Sequence, residues 1–190
     1  MSNRGRLVIF SAPSGSGKTT LINMLRKEHP ELEFSISATT RAPRGTEKHG
    51  IEYFFLSKDE FERKIASGEF VEYKKVYGNI YGTLKEYVDD ALKEGKNVLF
   101  DVDVQGGIDI KHQYPEDVIM IFIYPPSLEV LKERLIKRGT DTAEVIENRL
   151  KFAKIEMEKM KEYSYNIMNG SLDAAFNELK EVLRENKIIK

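Results

Sequence analysis

The chain has 190 residues, the length of one ordinary domain or of one domain with small insertions. Its apolar fraction of 41% excludes a globally disordered chain, and its formal charge of −1 argues against a non-specific nucleic-acid binder, which would carry a basic excess. The chain has no cysteine, which excludes disulfides, thiolate zinc sites and a cysteine nucleophile.

The sequence carries no signal for a membrane or an export route. No run approaches the roughly 20 apolar residues of a membrane-spanning helix, and the N-terminus lacks the long apolar region and cleavage site of a signal peptide. We therefore expect a soluble, cytoplasmic protein with no membrane partner and no nucleic-acid partner. The three histidines, His29, His49 and His112, are too far apart in sequence to suggest a metal site. The sequence does not indicate an oligomeric state.

Short apolar runs alternate with helical patterns along the chain. Residues 7–10, 98–100 and 118–124 are apolar without alternation, which is typical of strands buried on both faces of a parallel sheet. A buried helix is the alternative for the last run, but its β-branched residues and its length favour a strand. A helix is predicted after Gly17, and N-capping patterns predict others that begin at Ser57, Thr83 and Ser127 and end near Gly68, Gly95 and Gly139.

Two further helices are predicted toward the C-terminus. From Thr142 apolar residues recur every three or four positions, which predicts one long amphipathic helix with this face: Ala143, Ile146, Leu150, Ala153, Met157 and Met160. A last helix is expected over about 173–186. Strand–helix alternation predicts an α/β fold with a doubly wound parallel sheet. Residues 34–83 break the alternation with short aromatic β-like pieces around one helix, which indicates a small inserted α+β subdomain.

The strongest motif follows the first predicted strand and precedes a helix, the context that makes a Walker A phosphate loop credible. Glycines at this spacing let successive backbone N–H groups point at phosphate oxygens, and the helix N-terminus adds partial positive charge. Lys18 would reach the β and γ phosphates, and the Thr19 hydroxyl would ligate Mg²⁺. The predicted ATP-binding loop is Ala12, Pro13, Ser14, Gly15, Ser16, Gly17, Lys18 and Thr19, with Ala12 where the strict pattern has glycine.

Acidic and basic residues at two later positions suit phosphoryl transfer. Asp101 ends an apolar strand, where a Walker B carboxylate that holds Mg²⁺ would lie; a turn aspartate is the alternative. Arg134 and Arg138 share a helix face, and Arg149 follows on the next helix. Such arginines can neutralise charge on a transferring phosphoryl group from a closing lid, or they can belong to an ordinary solvated face.

A second phosphate site is suggested within the inserted subdomain. Arg41 and Arg44 flank Pro43, and two planar guanidinium groups suit a phosphate better than lysines do. Tyr53 and Tyr81, in loop-rich stretches, can donate phenolic hydroxyls to the same anion. Ser37, Glu72 and Thr83 offer the hydroxyls and carboxylate that guanine needs, because its N1–H and 2-amino groups are donors. Core packing for the tyrosines and an exposed strand position for Glu72 are the alternatives.

Together these segments resemble the guanylate kinase family of nucleoside monophosphate kinases. The resemblance spans nearly the whole chain and includes residues 11–18, 37–44, 77–83 and 101–106. It implies a P-loop fold with an inserted monophosphate-binding subdomain and a helical lid. The segments it implies are a core at 1–33, 85–124 and 156–190, the GMP-binding subdomain at 34–84 and the lid region at 125–155.

The family resemblance also implies roles for individual residues. Guanine would be bound by Ser37, Glu72, Thr83 and Asp103, and the GMP phosphate by Arg41, Arg44, Tyr53 and Tyr81. The catalytic residues would be Lys18, Arg134, Arg138 and Arg149, and Asn169 would lie near the ATP adenine. Thr19 and Asp101 would hold Mg²⁺, the expected cofactor.

The implied reaction is ATP + GMP ⇌ ADP + GDP with Mg²⁺, with dGMP as a further acceptor. Two other functions remain open. Guanylate-kinase-like domains of membrane scaffolds bind peptides without catalysis, although those usually have degraded phosphate loops and sit in longer chains. A kinase of the same fold could also serve a different monophosphate. Because Lys18 and Thr19 are intact, the sequence favours an active kinase.

Overall fold

The structure is a computed structural model that describes residues 4–76, 78–139 and 141–190. The strands in these residues are β1 (Leu7–Ser11), β2 (Glu33–Phe34), β3 (Ala38–Thr39), β4 (Phe54–Phe55), β5 (Phe70–Val76), β6 (Asn79–Leu84), β7 (Val98–Asp101), β8 (Val118–Tyr124) and β9 (Tyr165–Met168). The helices are α1 (Lys18–Glu28), α2 (Lys58–Ala66), α3 (Lys85–Lys93), α4 (Val104–Gln113), α5 (Leu128–Arg138), α6 (Ala143–Glu158) and α7 (Leu172–Glu185), with a 3₁₀ turn at Lys159–Glu162. Tyr77, in the third matching segment, lies outside the described residues.

A five-stranded parallel sheet in the order β2-β7-β1-β8-β9 forms the centre of the fold. Every residue of β1 is buried, because helices cover both faces of the sheet. Val8 and Phe10 pack in a cluster with α1 and α7, whereas Leu7 and Ile9 pack with α3 and α4 on the other face. This arrangement confirms the predicted doubly wound α/β core.

A second, mixed sheet in the order β4-β3-β6-β5 is formed entirely by residues between β2 and α3. Helix α2 packs against it through Phe61, whose ring stacks on Phe70 with 4.2 Å between centroids. Ser57 caps α2 by accepting a hydrogen bond from the Glu60 amide, as its capping pattern predicts. The inserted α+β unit therefore agrees with the sequence prediction.

Helices α5 and α6 pack on each other through Leu131, Leu135, Ile146 and Ala153. Ser127 caps α5 as predicted, and Thr142 caps α6. Gly139 ends α5 at a φ of 69°, a conformation that suits glycine. No helix in the described part of the chain is long and apolar enough to cross a membrane.

The structure corrects two local predictions and adds elements that the sequence did not reveal. Thr83 is not the N-cap of α3: it lies in β6, and the helix begins at Lys85 without a side-chain cap. Tyr81 likewise lies in β6 rather than in a loop, opposite Thr39 of β3. Strands β2, β3, β6 and β9 and helix α4 were not predicted. Helix α4 contains two glycines in its first turns, which masks its helical pattern.

Candidate active site

The phosphate loop, residues 12–19, connects the buried end of β1 to the first turn of α1. Gly15 and Gly17 have φ angles of 96° and 90°, a region that side chains disfavour, and the Ser16 amide donates to the Pro13 carbonyl at 3.1 Å. The loop therefore curls ahead of the helix N-terminus, where backbone N–H groups and the helix dipole favour an anion.

Asn169 supports this loop from the segment after β9. Its side-chain amide is buried and donates to the Ser16 carbonyl at 2.7 Å. A Cβ atom at Gly17 would lie 2.3 Å from the Asn169 Nδ2 atom, so the close approach requires glycine. Asn169 thus lies against the phosphate loop, and its contact with adenine stays a prediction.

The Lys18 ammonium lies between the phosphate loop and the end of β7. It forms an ion pair with Asp101 and donates to the Val102 carbonyl at 3.0 Å. A cavity of about 670 Å³ is lined by the whole loop together with these residues: Thr20, Asp101, Val102, Asp103, Arg134, Leu135, Arg138 and Glu156. The structure therefore brings Lys18, Thr19 and Asp101 to one cavity, as the sequence predicts.

The three predicted lid arginines lie at different places around this cavity. Arg134 and Arg138 line it from α5, and Arg134 also donates to the Asn169 carbonyl at 2.7 Å. Arg149 of α6 donates to the Ser14 hydroxyl at 3.0 Å and pairs with Asp141 at 3.3 Å. The Arg138 side chain is exposed and makes no hydrogen bond with any other residue that the structure describes, so it can reach a ligand without breaking a contact.

Three of the four predicted guanine residues form one cluster. Thr83 donates to Glu72 Oε1 at 2.8 Å across the β5–β6 pair. Asp103 caps α4, where its Oδ1 accepts from the Gly106 amide at 2.8 Å. A Cβ atom at Gly106 would lie 3.4 Å from Asp103 Oδ1 and 3.5 Å from Glu72 Oε2, so the two carboxylates face one small space.

The two carboxylates of this cluster have opposite pKa shifts. Burial raises the pKa of Glu72, and the charge of Asp103 adds to this effect, although the Thr83 hydroxyl opposes it. Burial also disfavours the charged form of Asp103, but the Gly106 amide and the Lys74 ammonium hold the pKa of Asp103 below its ordinary value. Glu72 is thus partly buried and hydrogen-bonded, and is not the exposed strand residue of the alternative interpretation.

The acceptor-phosphate cluster consists of Arg41, Glu47, Tyr53 and Tyr81. Both oxygens of Glu47 accept from one guanidinium nitrogen of Arg41, Nη2, each at 2.9 Å, and this charge-assisted contact holds the end of the Arg41 side chain in place. The Tyr53 ring lies 5.2 Å from the guanidinium carbon and 6.1 Å from the Tyr81 ring. Arg44 joins only through its backbone amide, which donates to Glu47 at 2.8 Å, while its side chain is exposed.

Ser37 lies apart from the guanine cluster. It lines a second cavity, of about 410 Å³, with Tyr53 and Asp101 among other residues. Because Asp101 also lines the phosphate-loop cavity, the two cavities adjoin at the carboxyl end of β7. Ligands of open α/β sheets bind outside the carboxyl ends of the strands, at the point where the strand order reverses.

Sequence reasoning missed four charged residues near the site. Glu47 holds Arg41, Asp141 holds Arg149, Lys74 contacts Asp103, and Glu156 lines the phosphate-loop cavity. None of the four belongs to a recognised sequence motif. Of the four, only Glu156 could have been suspected from the sequence, because it lies next to Met157, one of the recurring apolar positions of α6.

Comparisons with known proteins agree over nearly the whole chain. A family model described as Guanylate kinase matches residues 4–186. The guanylate kinase of Bacteroides thetaiotaomicron is 53% identical over 182 residues, 95% of this chain and 89% of that protein. That of Carboxydothermus hydrogenoformans is 45% identical over 186 residues, 98% and 91% of the two chains. A crystal structure of guanylate kinase from Anaplasma phagocytophilum superposes with a TM-score of 0.70 at 30% identity, covering 99% and 89%.

Proposed function

The chain belongs to the guanylate kinase family, and from this premise we propose that it transfers the γ-phosphoryl group of ATP to GMP, and to dGMP, in purine nucleotide metabolism and GMP recycling. The observation that carries the proposal is the meeting of two cavities at Asp101. One cavity has the backbone and lysine that suit a triphosphate. The other is lined by Ser37 and by Tyr53, a member of the guanidinium–tyrosine cluster. Asp103 of the guanine cluster lines the first cavity, so groups that suit a guanine monophosphate lie beside the triphosphate site.

We assign ATP to the phosphate-loop cavity. The loop amides would bind the β phosphate, and Lys18 would leave the Val102 carbonyl to bridge the β and γ phosphates. Asn169 is assigned near the adenine, where its backbone and side chain already connect Arg134 to the loop. Movement of Lys18 costs little, because its ion pair with Asp101 is partly exposed.

Thr19 and Asp101 fit a magnesium ion. They supply a hydroxyl and a carboxylate to the same cavity, and Mg²⁺ is commonly held by one or two protein oxygens, with waters and phosphate oxygens completing the shell. The described residues contain no group of three or more acidic or histidine side chains that would form an all-protein metal site. Bound there, Mg²⁺ would neutralise charge on the β and γ phosphates.

We assign GMP to the cleft between the two sheets. Glu72 and Asp103 would accept from guanine N1–H and the 2-amino group, with Thr83 holding Glu72 and Ser37 on the adjoining cavity wall. Arg41, Tyr53 and Tyr81 would bind the phosphate, and the exposed Arg44 would fold onto it. The segments 34–84 and 125–155 then correspond to the GMP-binding subdomain and the lid, and the remaining segments to the core.

Transfer in this arrangement needs positioning and charge neutralisation rather than a general base. The second pKa of a phosphate monoester is about 6, so the acceptor is mostly dianionic at pH 7. Repulsion between the two anions is the main obstacle, and Lys18, Arg134, Arg138 and Arg149 would offset it. Arg149 can leave Ser14 and Asp141 when the lid closes over the γ phosphate. Closure also excludes water, which would otherwise hydrolyse ATP.

An acceptor screen tests the proposal directly. ADP release from Mg-ATP is followed with GMP, dGMP, IMP, AMP, CMP and UMP as acceptors. We expect turnover with GMP and dGMP and little with the others, because only guanine offers both donors to the two carboxylates. Preferred turnover with another monophosphate would favour a different kinase of the same fold. GMP binding without any turnover would favour a binding module.

A further inference from the structure

Lys74 occupies a place in the acceptor site that the family motifs do not cover. In the β5–β6 pair, Glu72 lies opposite Thr83 and Lys74 lies opposite Tyr81. Since alternate residues of a strand share a face and directly opposite residues are neighbours, these four side chains lie on one face. Lys74 therefore stands between the residues assigned to guanine and a residue assigned to the GMP phosphate.

The Lys74 ammonium contacts Asp103 Oδ2 and so connects strand β5 to the start of helix α4. Among the ion pairs of the described residues, this is the one that joins the inserted sheet segment, residues 38–84, to the rest of the molecule. The other oxygen of Asp103 accepts from Gly106. A carboxylate oxygen can accept two hydrogen bonds, so Lys74 leaves room at Oδ2 for a ligand donor.

Two further carboxylates lie near the one that Lys74 contacts, and together the three would repel a phosphate dianion. Glu72 of β5 faces the same small space as Asp103, and Glu156 of α6 lines the phosphate-loop cavity with Asp103. Burial raises the pKa of Glu72 and of Glu156, and the charge of Asp103 raises both further. The cations that oppose this are Lys74, which acts on all three carboxylates, and Lys18, which acts on Asp103 and Glu156.

We propose that Lys74 is a positioning residue for the acceptor nucleotide: it fixes Asp103 beside Glu72 for guanine and supplies the positive charge that lets a GMP dianion approach three carboxylates. The inference rests on the proposed GMP site. It differs from a catalytic role, because Lys74 acts through Asp103 and Glu72 and not on the transferring group. The consequence is an effect on GMP binding with little effect on ATP binding or on the chemical step.

The test compares Lys74→Met with Lys75→Met. Lys75 is the neighbouring exposed residue of β5, lies opposite Ile80 on the other face and loses the same charge when replaced. For each variant and the wild type, the GMP Kd is measured by calorimetry without ATP, together with kcat and both KM values. Lys74→Arg is included because it keeps the charge and the donors.

For Lys74→Met we expect the GMP Kd and KM to rise about fivefold, the size expected for a solvent-exposed ion pair near the top of its range. The ATP KM and kcat should change little, Lys75→Met should match the wild type, and Lys74→Arg should recover most of the lost affinity. Equal GMP affinity in the two methionine variants, or tighter GMP binding by Lys74→Met, would overturn the proposal. Absence of GMP turnover in the wild type would instead overturn the proposed function.

Discussion

The phosphate loop and Asp103 of the guanine cluster line the same cavity, but the loop and the cluster are built in different ways. The loop consists of eight consecutive residues, and its shape depends on backbone angles at Gly15 and Gly17 and on one support, Asn169. The guanine cluster consists of side chains from three elements, Glu72 on β5, Thr83 on β6 and Asp103 before α4. One hydrogen bond joins Thr83 to Glu72 between the two strands, and another holds Asp103 at the start of α4.

The difference reflects the two ligands. Phosphate is a symmetrical anion, so the backbone N–H groups of a curved loop at a helix N-terminus can bind it without help from specific side chains. A purine base presents donors at fixed positions in a plane, and only side chains placed from several directions can match them. Damage to the loop should therefore abolish transfer to any acceptor, whereas damage to the cluster should change which acceptor is used.

The largest expected effect follows from Lys18→Met. Lys18 provides the mobile positive charge of the loop, so its loss should lower kcat on the order of 10²-fold or more, as removal of one preorganised electrostatic donor does. The loss should be equal for every acceptor, and thermal unfolding should be nearly unchanged.

Lys27→Met, at an exposed position of the same helix, is the matched control. Near-normal turnover in a folded Lys18→Met variant would contradict the assignment of ATP to the loop.

Glu72→Gln should have the next largest effect and should be selective. Glutamine keeps the size but offers one acceptor oxygen, so it cannot accept from both N1–H and the 2-amino group. We expect kcat/KM for GMP to fall about 10- to 100-fold, consistent with losing a hydrogen bond to a charged group of roughly 1.5–3 kcal/mol. The ATP KM should hardly change.

IMP sharpens this comparison, because it keeps N1–H and lacks only the 2-amino group. The ratio of GMP to IMP efficiency should shrink in Glu72→Gln and stay at its wild-type value in Glu69→Gln, where the carboxylate pairs with Lys64 at the surface. Wild-type discrimination in Glu72→Gln would mean that Glu72 does not read guanine.

The same contrast explains what the sequence could predict. The loop was predictable because its eight residues are contiguous and follow an apolar strand. The central strands β1, β7 and β8 were predictable because burial on both faces leaves an unbroken apolar run. Residue chemistry suggested Glu72 and Thr83 for guanine, but the role of Asp103 came only from the family resemblance, because no local pattern brings residues from such distant positions together.

Failures of the sequence reading have physical causes as well. Thr83 was predicted to cap a helix because it precedes Glu86 at capping-box spacing. In the structure its hydroxyl instead donates to Glu72, a partner eleven residues away on the neighbouring strand. Glu47 carried no signal, since its role depends on a loop that folds it back onto Arg41.

Glu47→Gln should have a smaller effect, confined to the acceptor phosphate. Both oxygens of Glu47 accept from Arg41 Nη2 and hold its position, and glutamine retains only one acceptor oxygen. Because the pair is partly exposed, we expect the GMP KM to rise about three- to fivefold with kcat and ATP KM unchanged.

Glu62→Gln, at an exposed position of α2 where the carboxylate pairs with Lys58 at 3.8 Å, is the control. A lower GMP KM in Glu47→Gln would show that Glu47 competes with the phosphate for Arg41.

The smallest expected effect concerns the stability of the fold and arises from the burial of Glu72 in the guanine cluster. Burial raises the pKa of Glu72 above its ordinary value of 4.5, so above that pH the folded state retains a proton that the unfolded state has lost. The stabilisation that Glu72 contributes to the folded state is therefore present below pH 4.5 and is lost as the pH rises through the folded-state pKa.

Glutamine does not titrate, so Glu72→Gln should have a higher Tm than the wild type at pH 7, and the difference in Tm should shrink as the pH falls toward 4. Thermal unfolding of both proteins at several pH values measures this difference. Acid destabilisation that the two proteins share does not affect the difference in Tm. Exposed Glu69 should show no such trend on the same substitution. Two outcomes would contradict this prediction: a Glu72→Gln variant that is less stable than the wild type at pH 7, or a Tm difference that does not vary with pH. Either would mean that burial does not disfavour the ionised form of Glu72 in the folded state.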